Sequence, residues 1–117
     1  MADLLGTFEQ AVLLAILHLG PEAYGRAILH QVQTSLRRNV SAGSVYTTLD
    51  RLEARGLIAS TLAEGTPARG GRPRRYYKIA AAGIRALDEA HEAIITLWKS
   101  VPWPAKARSA RVRKVAL

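Results

Sequence analysis

Val40–Leu57, VSAGSVYTTLDRLEARGL, contains a complete short helix with its start and stop signals. Ser41 is a residue type that caps a helix N-terminus, its hydroxyl accepting from a backbone N–H one turn on. Val45, Leu49 and Leu52 recur at helical spacing and face a core, while Ser44, Thr47, Thr48, Arg51 and Arg55 fall on the other side. Gly56 stands where a left-handed residue ends a helix. A short helix of this make-up suits the major groove of DNA. Small side chains let the backbone approach, and arginines reach base edges or phosphates. An ordinary amphipathic surface helix has the same pattern, so the rest of the chain decides.

The 117 residues make one domain with room for an appendage, and 49% hydrophobic content excludes wholesale disorder. A domain this small gains from dimerisation. The absence of cysteine removes disulfides, thiolate metal sites and Cys nucleophiles, and fits a cytoplasmic protein. His18, His30 and His91 are too scattered for a metal motif, so neither metal nor cofactor is expected. The longest apolar run, Ala11–Leu17, is far short of a membrane span, and the N-terminus lacks the basic start of a signal peptide.

The net charge of +8 is unevenly placed. Residues 101–117 hold five cations and no acid. Between Glu64 and Asp88 there is no acid either, while Arg69, Arg72, Arg74, Arg75, Lys78 and Arg85 all occur. Basic charge gathered in two places points to a polyanion.

From the N-terminus, Thr7 and Gln10 have the spacing of a capping box, and Phe8, Val12, Ala15, Ile16 and Leu19 follow at helical spacing. Leu13, Leu14 and Leu17 widen the stripe, so this helix is either a central core helix or one with a partner beyond its own core. Gly20-Pro21 ends it, and Glu22–Arg38 reads as a second helix with Tyr24, Ala27, Ile28, Val32 and Leu36 inward. A short turn joins it to the opening helix, matching a helix-turn-helix.

After Gly56 the period changes. Leu57–Leu62 and Arg74–Ile79 read as two strands around the irregular, basic loop Ala63–Pro73, AEGTPARGGRP. A phosphate loop needs Gly-Lys-Ser/Thr leading into a helix; here Gly71-Arg72 leads into a strand, so that reading is rejected. A glycine-rich hairpin tip with Arg69, Arg72, Arg74 and Arg75 fits the wing of a winged helix gripping phosphates or the minor groove.

Ala80–Ser100 reads as a long helix. Ile84, Leu87, His91, Ile94, Trp98 and Val101 lie at alternating spacings of 3 and 4, a dimerisation seam. Ile95 and Leu97 lie off it and are expected to pack on the first helix. His91 is either a tolerated polar residue at the dimer edge or one that contacts a ligand or senses pH, and Trp98 either an interface anchor or one wall of a pocket for a flat aromatic effector. Pro102 and Pro104 stop the helix, and the basic tail is expected to be disordered.

Val45-Tyr46-Thr47-Thr48-Leu49, Arg51-Leu52-Glu53, Gly56-Leu57-Ile58, Arg74-Arg75-Tyr76-Tyr77 and Gly83 together resemble the PadR family of bacterial transcriptional regulators. Ala11–Leu19 and Tyr24-Gly25 are similar to it too, so the likeness spans roughly residues 5–100. It implies a homodimeric winged helix-turn-helix, usually a repressor on an inverted-repeat operator, with one C-terminal helix completing the dimer and, in some members, small aromatic inducers. It also implies that Ser41, Ser44, Tyr46 and Thr47 face DNA, that Arg72, Arg74 and Arg75 act at the wing, and that Glu53 pairs locally with a cation instead of touching DNA. Ala80 departs from the pattern, which has a capping Thr there.

The expected fold is mainly α with a small β-hairpin (α+β). It comprises a winged helix-turn-helix over residues 1–79, a dimerisation helix over 80–101 and a basic tail over 102–117. The expected DNA-binding set is Ser41, Ser44, Tyr46, Thr47, Arg51, Arg69, Arg72, Arg74 and Arg75. The expected partners are double-stranded DNA, a second copy of the chain through Ile84, Leu87, His91, Ile94 and Trp98, and a small aromatic effector near Trp98 and His91. No membrane association and no catalysis are expected. The alternative is a winged-helix protein-interaction module without specific DNA recognition.

Overall fold

The computed structural model describes residues 3–65 and 70–104. Four helices and one hairpin follow in order: α1 (Thr7–Leu19), α2 (Gly25–Leu36), α3 (Ala42–Ala54), β1 (Ile58–Ala63), β2 (Arg74–Ile79) and α4 (Ala81–Lys99). α2 and α3 make the helix-turn-helix and β1–β2 the wing. Arg69 and the tail beyond Pro104 lie outside the described residues.

α1 is the hub of the core. Val12, Leu13, Ala15 and Ile16 are buried against α2, α3 and the hairpin. Its opposite side leaves Leu14 52% and Leu17 45% exposed, so the helix is a central core helix on one face and leaves apolar side chains uncovered on the other. The cap sits one residue earlier than expected. The Gly6 N–H donates to Glu9 Oε1 at 2.9 Å, and Gln10 reaches back to the Leu5 carbonyl instead of pairing with Thr7.

The second helix starts at Gly25, not Glu22. Gly20–Glu22 is a 3-10 turn, and the chain then runs extended because β2 claims its backbone. The Tyr77 N–H donates to the Ala23 carbonyl at 2.8 Å, and Tyr24 bridges Tyr76. The helix also stops earlier, at Leu36, with Arg37 in the left-handed conformation (φ 52°). Gln33 then ties the turn by donating to the Val40 carbonyl at 2.9 Å.

α3 matches its sequence signals. The Ser44 N–H donates to Ser41 Oγ at 3.1 Å, and Gly56 (φ 74°) ends the helix. Val45, Leu49 and Leu52 are fully buried. Thr48 is not on the polar face: it is 6% exposed, because the helical turn sets it between Val45 and Leu52.

β1 and β2 pair antiparallel from Ile58↔Ile79 to Ala63↔Arg74. The first strand runs one residue later than expected. The Leu57 N–H closes α3 on Leu52, while its carbonyl accepts from Ala80 N–H at 2.9 Å. Alternation along β2 buries Tyr77 and turns Tyr76 to the other face, edge-on to Tyr24. α4 starts at Ala81 with Ala80 as an N-cap that offers no side-chain bond.

Gly83 and Ala90 are buried where α4 meets the domain, and Ala86 and Leu87 pack against the core. Leu87 is therefore partly spent within the protomer. Leu97 does not pack on α1; at 64% exposed it joins Ile84, Ile94, Trp98 and Val101 on an open apolar stripe.

Candidate nucleic-acid interface

Opposite the buried line Val45–Leu49–Leu52, a rotation of about 100° per residue brings out Gly43, Thr47, Asp50 and Ala54. All four are exposed. Two clefts flank this ridge. On the α1 side, Ser41, Ser44, Thr47, Thr48 and Arg51 line one cleft with Phe8 and Glu9. The Ser41 and Ser44 hydroxyls lie 2.8 Å apart there, so the cap also orients a second polar group at the tip of α3.

On the wing side, Tyr46 shares a cleft of about 380 Å³ with Tyr24, Arg26, Arg72, Arg74 and Arg75. No acid lines it. The Tyr46 ring lies across Gly25, so close that a Cβ there would fall 2.5 Å from Tyr46 Cε1. Glycine at the start of α2 thus lets α3 approach, and the ring remains half-exposed above it. The Arg74 guanidinium stacks 3.9 Å over the Tyr24 ring, which Tyr76 supports edge-on. Such stacking fixes the plane of the guanidinium while leaving N–H groups for an anion.

The predicted contacts are therefore brought to one surface in two groups, with Arg69 outside the described residues. Sequence reasoning missed Arg26, read only as part of a helix whose start was misplaced. Two residues have local partners. Arg55, expected to reach DNA, pairs with Glu9 Oε2 at 3.2 Å, an exposed pair of small energetic weight. Glu53 accepts from Ser60 Oγ at 2.7 Å, and Ser60 in turn accepts from Arg75 at 2.9 Å. That relay ties both strands of the wing to the end of α3. Burial pushes the Tyr77 hydroxyl above its ordinary value of 10.0, with Arg75 opposing, so it remains neutral beneath the cleft at neutral pH.

Among the described residues no group of three His, Cys, Asp or Glu side chains could hold a metal, and no helix is long and apolar enough to cross a membrane. The sequence profile of the "Transcriptional regulator PadR-like family" matches residues 13–89, two-thirds of the chain.

The chain belongs to the PadR family.

Solved PadR-family structures are similar over most of their length. A PadR-like transcription factor from Bacteroides fragilis is 29% identical, with 81% of this chain and 86% of that one covered and a TM-score of 0.66. A PadR family transcriptional regulator from Eggerthella lenta is 30% identical, with 78% and 80% covered and a TM-score of 0.58. BpsR of Bordetella bronchiseptica shares the fold at 20% identity and a TM-score of 0.60, with 100% and 84% covered. No curated protein matches. As a PadR-family member the chain is a DNA-binding transcriptional regulator, not an enzyme.

Proposed function

We propose that this PadR-family regulator is a homodimeric repressor that binds an inverted-repeat operator in the cytoplasm and is released by a small aromatic effector. Two copies of α3 enter successive major grooves about one turn apart, and the wings grip flanking phosphates. The observation that carries this reading is the surface joining Thr47, Ser44 and Arg51 to the acid-free cleft of Tyr46, Arg26, Arg72, Arg74 and Arg75. Small polar groups stand at the tip of α3, and cations stand beside it.

Dimerisation is supported by the stripe of Ile84, Ile94, Leu97 and Trp98 on α4 and Val101 just beyond it, with Leu14 and Leu17 on α1. Exposed aliphatic and aromatic groups in such number suit an interface between copies. His91 lies exposed on the same helix. The Trp98 and Trp103 rings lie 4.8 Å apart between centroids and are tilted 50° to one another, an apolar corner of the kind an aromatic ring would pack into. BpsR, whose DNA binding is regulated by 6-hydroxynicotinic acid, supports a small planar effector. An effector that shifts α4 changes the spacing of the two reading helices and lowers affinity without touching a base contact.

The test is selection of binding sequences from a pool of randomised duplexes, followed by titration across salt. An inverted repeat bound by two chains, more tightly than a scrambled duplex at every salt, is the expected result. Binding indifferent to sequence at every salt contradicts it and favours a winged-helix interaction module.

A further inference from the structure

Three acids stand near the surface proposed to meet DNA, and they are not equivalent. Glu9 is held by the Gly6 N–H and by Arg55. Glu53 accepts from Ser60, which Arg75 also engages. Asp50 is exposed on the outermost line of α3, one turn beyond Thr47, and takes part in no hydrogen bond or ion pair among the described residues. Of the four residues on that line only Thr47 and Asp50 carry polar side chains.

A carboxylate exposed on the ridge between the two clefts is repelled by the phosphates of every duplex. Among base edges in the major groove it can be satisfied only by an amino group. A carboxylate only accepts, so guanine, which presents O6 and N7 acceptors, repels it; adenine sets an N7 acceptor beside its N6 donor, whereas cytosine presents its N4 amino donor with no acceptor beside it on that base. We propose that Asp50 is a specificity determinant that accepts a hydrogen bond from the N4 amino group of a cytosine, fixing one C·G position in each half-site. This inference rests on the proposal that α3 reads the major groove. The same carboxylate holds down non-specific binding, because the backbone phosphates repel it on every duplex and only the cytosine offsets that repulsion.

The experiment selects sequences from a randomised duplex pool with the full chain and with Asp50→Ala, Asp50→Asn and Thr47→Val. Asp50 is exposed and unpaired, so its variants keep the fold. The parent is expected to select cytosine at one symmetric position. Asp50→Ala loses that preference, a change on the order of tenfold in discrimination, and binds unrelated duplexes more tightly at low salt. Asp50→Asn moves the preference to adenine, whose N6 and N7 match an amide. If both Asp50 variants select the parental sequence while Thr47→Val alters it, the inference is overturned and α3 remains the reading helix. If no variant alters the selected sequence, or the parent selects none, the role of α3 falls with it.

Discussion

Gly83→Ala tests the seating of α4, on which the geometry of any dimer depends. Gly83 lies in the first turn of α4 and is buried where that turn crosses the hairpin. A Cβ there would overlap the Leu57 carbonyl and lie 2.6 Å from Ile79 Cγ1 and 3.2 Å from Cδ1. The Leu57 carbonyl cannot yield freely, because it already accepts from the Ala80 N–H at 2.9 Å. Two effects of opposite sign compete. Replacing Gly by Ala in a helix favours the folded state by up to about 1 kcal/mol. Forcing a methyl group into a packed site with a fixed backbone neighbour costs about 1–3 kcal/mol. The overlap with backbone places this site at the upper end, so the expected net loss is about 1–2 kcal/mol. For a domain of this size each kcal/mol lowers Tm by roughly 4–8 °C. The assay is thermal and urea unfolding at one fixed protein concentration, since dimerisation would make stability concentration-dependent. Gly43→Ala is the control: its Cβ would meet nothing nearer than Ser41 Oγ at 4.0 Å, so it should hold or raise stability. A Gly83→Ala protein as stable as the parent would refute the close packing of α4 on the hairpin.

Ile94→Glu combined with Leu97→Glu places charge on exposed positions of α4, so the chain should stay folded and sediment as a monomer; a stable dimer would move the interface elsewhere. Arg72→Ala with Arg74→Ala should weaken binding to all duplexes alike and flatten its dependence on salt, read by fluorescence anisotropy, with unchanged affinity excluding the wing from the interface. Tyr77 holds its proton more tightly folded than unfolded, so its contribution to stability is present below pH 10.0 and is lost as pH rises above it. Urea unfolding from pH 8 to 11 should therefore show a decline that Tyr77→Phe reduces, and an identical decline in both would rule out this cause.

The sequence is most informative where the determinants are local. α3 has its cap, apolar period and glycine stop within one stretch, and β2 alternates cleanly, so both were legible. Ala23–Tyr24 was not, because its extended form depends on backbone pairing with Tyr76 and Tyr77, some fifty residues on. The polar pattern places Thr48 outside because of its hydroxyl, although helical rotation sets it between Val45 and Leu52. Its place off the seam turns Leu97 inward on paper, whereas the small residues Gly83, Ala86 and Ala90 mark the side of α4 that approaches the domain. At the candidate site, helical rotation from Val45, Leu49 and Leu52 already puts Asp50 on the outermost line of α3. The local ties of Arg55 and Glu53 required the tertiary fold, since Glu9 and Ser60 lie on other elements.

The central claim is that α3 and the basic cleft beside it read a two-fold DNA sequence. The most direct measurement is the salt dependence of affinity for a selected inverted repeat and for its scrambled counterpart, with stoichiometry determined on the same duplexes. Two chains per repeat are predicted, with log affinity falling linearly with log salt for both duplexes and a gap of at least about a thousandfold between them. Superimposed lines for the two duplexes would contradict the account.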